Sequence, residues 1–238
     1  MGPIRRVSTV MALARFQVCG YVRSLRVLQP LILVLLILTL GLAQWPGGPR
    51  RVELATGALG DIAALVFPIC AWSARSLLDT QPDEQRALSA TAAGHPVASA
   101  VAGLLAAYAV NLCLGGLLLA IPLVQCVSVG TGLAPTAAGA GLTFLVALAG
   151  TLLGAYAQRS IISSPGHSLL ALLGGVTAAL LLSLGPLSPL SVPMVKWLRA
   201  AHDGPVAFIA AFPGLALHLA LWSTVLAAGH LLLARRPR

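Results

Sequence analysis

Five histidines, four cysteines, six carboxylates and a single lysine are the residues of this 238-residue chain with side chains suited to acid–base, nucleophilic or metal chemistry. Their spacing assembles none of the familiar sites. His95, His167, His202, His218 and His230 show no ligand spacing, and His218 and His230 fall about 120° apart on a helical wheel. Cys19, Cys70, Cys113 and Cys126 lack the Cys-x-x-Cys spacing of a zinc or redox site and read as reduced, small apolar residues. A phosphate-binding ATPase loop requires Gly-x-x-x-x-Gly-Lys-[Ser/Thr]. The lone lysine, Lys196, is followed by Trp197 and preceded by no such glycines, so the chain has no ATPase loop of its own. Neither His-Glu-x-x-His nor Gly-x-Ser-x-Gly occurs. The residues therefore predict no catalytic, cofactor-binding or metal site on this chain.

Three polar residues stand inside otherwise apolar stretches. Asp61 reads as an interfacial group reaching water, or as a coupling or substrate contact of an ion-driven carrier. Asn111 reads as an interhelical hydrogen bond or a ligand contact, and His218 as a packing residue or a ligand contact.

The elements that must position these groups follow from composition. Fifty-eight per cent of residues are hydrophobic (58%) and 9% charged, against about 25% charged in soluble domains. That excludes an ordinary soluble fold, and predicts helices of about 20 apolar residues crossing about 30 Å of hydrocarbon. Six such spans can be read, at about 27–43, 54–74, 96–122, 136–157, 168–187 and 213–234. The expected fold class is all-α and polytopic: a tail and interfacial helix over 1–28, then a six-span domain over 29–238.

The formal charge of +9 would suggest nucleic acid in a soluble protein. Here it reads as membrane orientation, with no nucleic-acid partner. With the N-terminus inside, Arg5, Arg6, Arg15, Arg23, Arg26, Arg75, Arg86, Arg159, Arg235, Arg236 and Arg238 face the cytoplasm. Only Arg50, Arg51, Lys196 and Arg199 fall outside. That bias puts both termini in the cytoplasm. On a helical wheel Arg15, Arg23 and Arg26 share about 80°, opposite Val10, Leu13, Ala14, Val18, Val22 and Leu25, which predicts a basic amphipathic helix on the inner leaflet.

Two connections are long. The inside one, about 80–94, holds Thr80 as a candidate N-cap, acids Asp83 and Glu84 in the first turn, and Gly94-His95-Pro96 as a stop. It predicts a short capped helix, a solvated connector or a docking element for a cytoplasmic partner. The outside connection, about 188–212, offers a short helix with Lys196, Trp197 and Arg199. Its end, 206–212, either dips back as a re-entrant segment or extends the sixth span. Gly150 and Gly154 form a GxxxG in the fourth span, a signature of close helix contact.

Taken together, this layout resembles the ABC-2 type permeases of ABC exporters. The features that carry the resemblance are Tyr21-Val22-Arg23-Ser24-Leu25-Arg26 leading into Pro30-Leu31, six spans, and the inside helix ending in Ala92-Ala93-Gly94-His95-Pro96. Gln158-Arg159 and Ser163-Ser164-Pro165 after the Gly150/Gly154 span, and the long outer connection, add to it. The resemblance implies a multi-pass subunit of a bacterial cytoplasmic membrane, paired with a second permease copy or sister chain and with a separate ABC ATPase that holds ATP and Mg. It implies a coupling helix at 80–94, with Asp79, Gln81, Asp83, Glu84 and Arg86 as ATPase contacts. The competing expectations are an ion-coupled carrier, or a membrane enzyme or accessory subunit without a P-loop partner.

Overall fold

The computed structural model describes residues 3–82, 84–85, 88, 91 and 95–235. Among these the chain forms α1 (Pro3–Arg23), α2 (Leu28–Ala43), α3 (Arg51–Leu78), α4 (Pro96–Val129), α5 (Leu133–Tyr156) and α6 (Pro165–Leu184). A 3-10 turn (Ser188–Leu190), α7 (Met194–His202) and α8 (Pro205–Ala234) complete it, and no strand occurs among the described residues. Five helices, α3 to α6 and α8, are long and apolar enough to cross a membrane. A sixth span arises if α1 and α2, bent by 73° at their junction, count as one. The protein thus has the make-up of a polytopic membrane protein. With 16 residues, α2 rises only about 24 Å by itself.

The helix ends follow from local chemistry. Proline opens α6 and α8, where its missing N–H costs no bond. His95 Nδ1 accepts the Val97 N–H at 3.2 Å and caps α4. At the other end of α4, Gly130 takes φ +74°, and the Thr131 N–H reaches the Cys126 carbonyl at 2.9 Å.

Two expected boundaries need correction. The third span was expected to stop at Pro122 and the sixth to start at Pro213, but α4 and α8 run through these prolines. Proline removes one helical bond, whereas leaving the helix in an apolar surrounding strips partners from several peptide groups. Residues 206–212 are therefore the first turns of α8, and the re-entrant alternative for them fails. The stretch that turns back lies upstream. The Leu190 carbonyl accepts from Trp222 Nε1 at 3.2 Å, about 25 Å of helix rise from Pro205. Ser191 Oγ donates to the Ala179 carbonyl at 2.7 Å, and the Val195 N–H donates to Ser183 Oγ at 3.0 Å. The Trp222 and Ser183 side chains thus satisfy backbone groups that no helix satisfies, as burial demands.

The most enclosed helices are α3 and α5, while α6 and α8 leave most of their surface uncovered. The core joins Val66, Phe67 and Cys70 of α3 to Leu114 and Leu118 of α4, Leu142 and Val146 of α5, Trp197 of α7 and Leu219 of α8. Gly150 and Gly154 form the contact with α3. A Cβ on Gly150 would lie 2.5 Å from the Phe67 carbonyl oxygen, and one on Gly154 would collide with that of Ala71. Against α3 and α4, α1 packs Ala14 and Tyr21, with Val10, Leu13 and Val18 beside them. Val22 and Leu25, expected on that same apolar face, are 51% and 64% exposed. Val22 stands about 100° around α1 from the packed Tyr21, and for Leu25 the reason is that α1 ends at Arg23 and Leu25 at φ 58° swings the chain towards α2.

Candidate functional site

The end of α3 gathers more polar bonds between elements than any other part of the described chain. Arg75 and Asp79 are one helical turn apart and therefore face the same way. Arg75 Nε donates to Ser168 Oγ at 2.6 Å, and Nη2 reaches the Pro165 carbonyl at 3.3 Å. Ser168 Oγ in turn donates to the Ala157 carbonyl in a short bond. Asp79 Oδ2 lies 3.9 Å from Arg75 Nε, and Asp79 Oδ1 accepts the Arg159 backbone N–H at 2.7 Å. Both side chains are largely buried, at 15% and 7% exposure. Arg26 Nη1 donates to the Asp79 carbonyl at 3.0 Å. One carboxylate and two guanidinium groups therefore lock together the α1–α2 corner, the end of α3, the α5–α6 turn and the start of α6.

The connection 80–94 leaves from this lock. Thr80 Oγ1, read as an N-cap, donates to the Ser76 carbonyl at 2.9 Å and so closes α3. Glu84, Gln85, Leu88 and Thr91 are helical and exposed. Asp83 and Arg86, two of the expected partner contacts, lie outside the described residues. Of the other three, Glu84 is exposed, Gln81 is half-buried, and Asp79 turns its carboxylate inward. Among the described three, Asp79 therefore does not share the surface with Glu84. Arg15, Arg23 and Arg26 are exposed, but only the first two share α1: the helix ends at Arg23, Leu25 breaks the row, and Arg26 turns to the Asp79 carbonyl.

The middle of the bundle holds Asn111. Its Nδ2 donates to the Cys70 carbonyl at 2.9 Å and to Thr151 Oγ1 at 2.8 Å, which joins α3, α4 and α5. Asn111 is fully buried. Gln125 Nε2 similarly ties α4 to the end of α2 through the Gly41 and Gln44 carbonyls, each at 3.2 Å.

At the opposite end of α3, α7 lies against Gly57 and Gly60. Asp61 Oδ1 is 2.9 Å from His202 Nε2, a pairing across 141 positions that nothing in the sequence signals. Both side chains are about half exposed, at 50% and 53%. Such a pair is worth less than about 1 kcal/mol, so Asp61→Asn is expected to leave the melting temperature nearly unchanged. Gly60→Leu should act differently. A Cβ there would stand 2.6 Å from the Ala201 Cβ, and overpacking of this kind costs about 1–3 kcal/mol. Thermal unfolding in detergent checks both. Equal losses from the two substitutions would contradict the view that close packing, rather than the ion pair, seats α7.

Among the described residues no group of three or more His, Cys, Asp or Glu is placed to hold a metal ion. Arg75, Ser168 and His202 escaped the sequence reading because each works through a partner far along the chain. The chain matches no protein-family model, no curated protein and no solved structure.

Proposed function

We propose that this chain is the membrane-spanning permease subunit of an ATP-driven ABC-2 type exporter. The observation that carries the reading is the lock at the end of α3. A partner pushing on the connection 80–94 would act on Asp79, and through it on α1, α2, α5 and α6 at once. A rigid input of that kind suits a bundle that alternates between inward- and outward-facing packings under bias from a nucleotide-driven partner. In this reading the lock faces the cytoplasm, as do both termini of a six-span chain in a bacterial cytoplasmic membrane. Helix α1 lies on the inner leaflet with Arg15 and Arg23 towards anionic lipid, while Arg26, beyond the end of α1, belongs to the lock. ATP and Mg are held by a separate ABC ATPase, and a second permease copy or sister chain completes the path. Glu84, with Asp83, Gln81 and Arg86, then sets the docking register through charge, while Asp79 transmits rather than docks.

Co-expression with a candidate soluble ABC ATPase tests the proposal. The ATPase is expected to copurify, and the double reversal Asp83→Lys/Glu84→Lys to reduce its recovery at least tenfold. No copurification, or recovery indifferent to the reversal, would remove the basis for the exporter reading.

A further inference from the structure

The chain's only lysine borders a groove. Pro193, Lys196, Ala211, Gly214, Leu215 and His218 line a space of about 320 Å³ between α7 and α8, within the size range of small-ligand pockets, about 300–1,000 Å³. Most of the lining is apolar; the exceptions are Lys196 and His218. The Lys196 side chain is exposed, and His218 Nε2 is shut off from solvent without a hydrogen-bond partner. A buried imidazole nitrogen with nothing to bond is costly unless something visits it.

Position sharpens the point. His218 stands about 20 Å of helix rise below the start of α8, and Pro193 ends the non-helical stretch that turns back beside Trp222. Irregular backbone and an ionisable side chain at such a depth in an apolar bundle mark a ligand path more often than packing. Arg199 follows Lys196 by one turn on the exposed side of α7, so positive charge leads from the end of the bundle to the groove. Of the three acids at that end, Asp61 is engaged by His202 and Glu53 by Arg50, and Asp203 closes α7 one turn beyond Arg199. Outside the groove α8 presents Leu217 and Leu221, which are 62% and 59% exposed, as an apolar track.

We propose that this groove binds the anionic headgroup of an amphiphile, its phosphate paired with Lys196 Nζ and taken up by His218 Nε2 when the imidazole turns into the groove, while its acyl chain lies along α8. As a bound ligand the amphiphile goes beyond the exporter reading and does not depend on it. As the transported cargo, it rests on that reading.

Native mass spectrometry of the full chain in detergent tests the site, with no ATPase present, so the result stands apart from any failure to find an ATPase partner. With phosphatidylglycerol and phosphatidylcholine supplied equally, phosphatidylglycerol should be retained at least tenfold over phosphatidylcholine. Lys196→Gln combined with His218→Leu should abolish that preference. Gly214→Leu adds a side chain where a Cβ meets nothing within 4 Å, and so should fill the groove, leave the melting temperature unchanged and reduce phosphatidylglycerol retention at least tenfold. Inorganic phosphate at millimolar concentration should not displace the lipid. The proposal is overturned by unaltered retention in both variants, by equal retention of the two lipids, or by displacement with phosphate alone, which would make the occupant a free anion.

Discussion

Replacing Gly154 by leucine is expected to lower the melting temperature of the detergent-solubilised protein by roughly 6–12 °C, the equivalent of about 3 kcal/mol in a chain of this size. The reason is what the new side chain meets. A Cβ at Gly154 collides with the Ala71 carbonyl oxygen and comes within 3.0 Å of the Ala74 Cβ. A flexible side chain could swing aside, but the backbone of the most enclosed helix cannot, so the cost belongs at the upper end of overpacking penalties, about 3 kcal/mol. Gly150 is held as tightly, with the Cys70 Cβ 3.0 Å and the Ala71 nitrogen 3.3 Å from its would-be Cβ. Gly174, on exposed α6, has nothing within 4 Å. Gly174→Leu therefore serves as the control and should shift the midpoint by no more than a few degrees. Comparable losses at Gly154 and Gly174 would mean that the glycines do not set the α3–α5 approach.

Arg75→Ala should be as damaging for a different reason. It removes the bonds to Ser168 and Pro165 and leaves the Asp79 carboxylate, 7% exposed, without its neighbouring guanidinium. Breaking one side of a buried pair costs about 3–5 kcal/mol, and the Arg159 N–H that Asp79 goes on accepting sets this case at the low end, about 3 kcal/mol. The double substitution Arg75→Leu/Asp79→Leu takes both charges away and should recover most of that loss, leaving a deficit of about 1 kcal/mol for the Arg159 N–H that Asp79 no longer accepts. The comparison of single and double variants, by thermal unfolding at low and high salt, is decisive. A single variant that melts like the parent, or a double that melts below the single, would show that the pair does not hold the end of α3. Under the exporter reading, the single variant should also uncouple ATP hydrolysis from transport while leaving ATPase recovery unchanged, since Asp79 transmits and does not dock.

The spans were legible in the sequence because they depend on composition along one segment. Runs without charge predict helices in nearly the right places, and five of the six expected spans are long and apolar enough to cross by themselves. Where the reading slipped, at Pro122, and where it stood open between two alternatives, at Pro213, the surroundings make leaving a helix worse than losing one bond. The Gly150/Gly154 spacing marked a close contact, yet only the packed bundle names Phe67 and Ala71 as what they touch.

The candidate site was much less legible. Asp79 read as one of three acids on an inside loop, and the lock turns it inward because Arg75, Arg26 and the Arg159 amide converge there from three parts of the chain. Asp61 read as a group reaching water, and its partner His202 sits on a helix that the turned-back stretch before it carries into place. Lys196 read as the absence of an ATPase loop, and the fold sets it beside His218 at a groove. What the sequence alone determined is what each residue's own chemistry dictates: apolar helices, their approximate ends, and a chain with no phosphate-binding loop. Which helix meets which, which charge is buried and which polar atom is left without a partner were decided only by the tertiary structure, because these are properties of pairs far apart in the chain, and no local pattern encodes the second member.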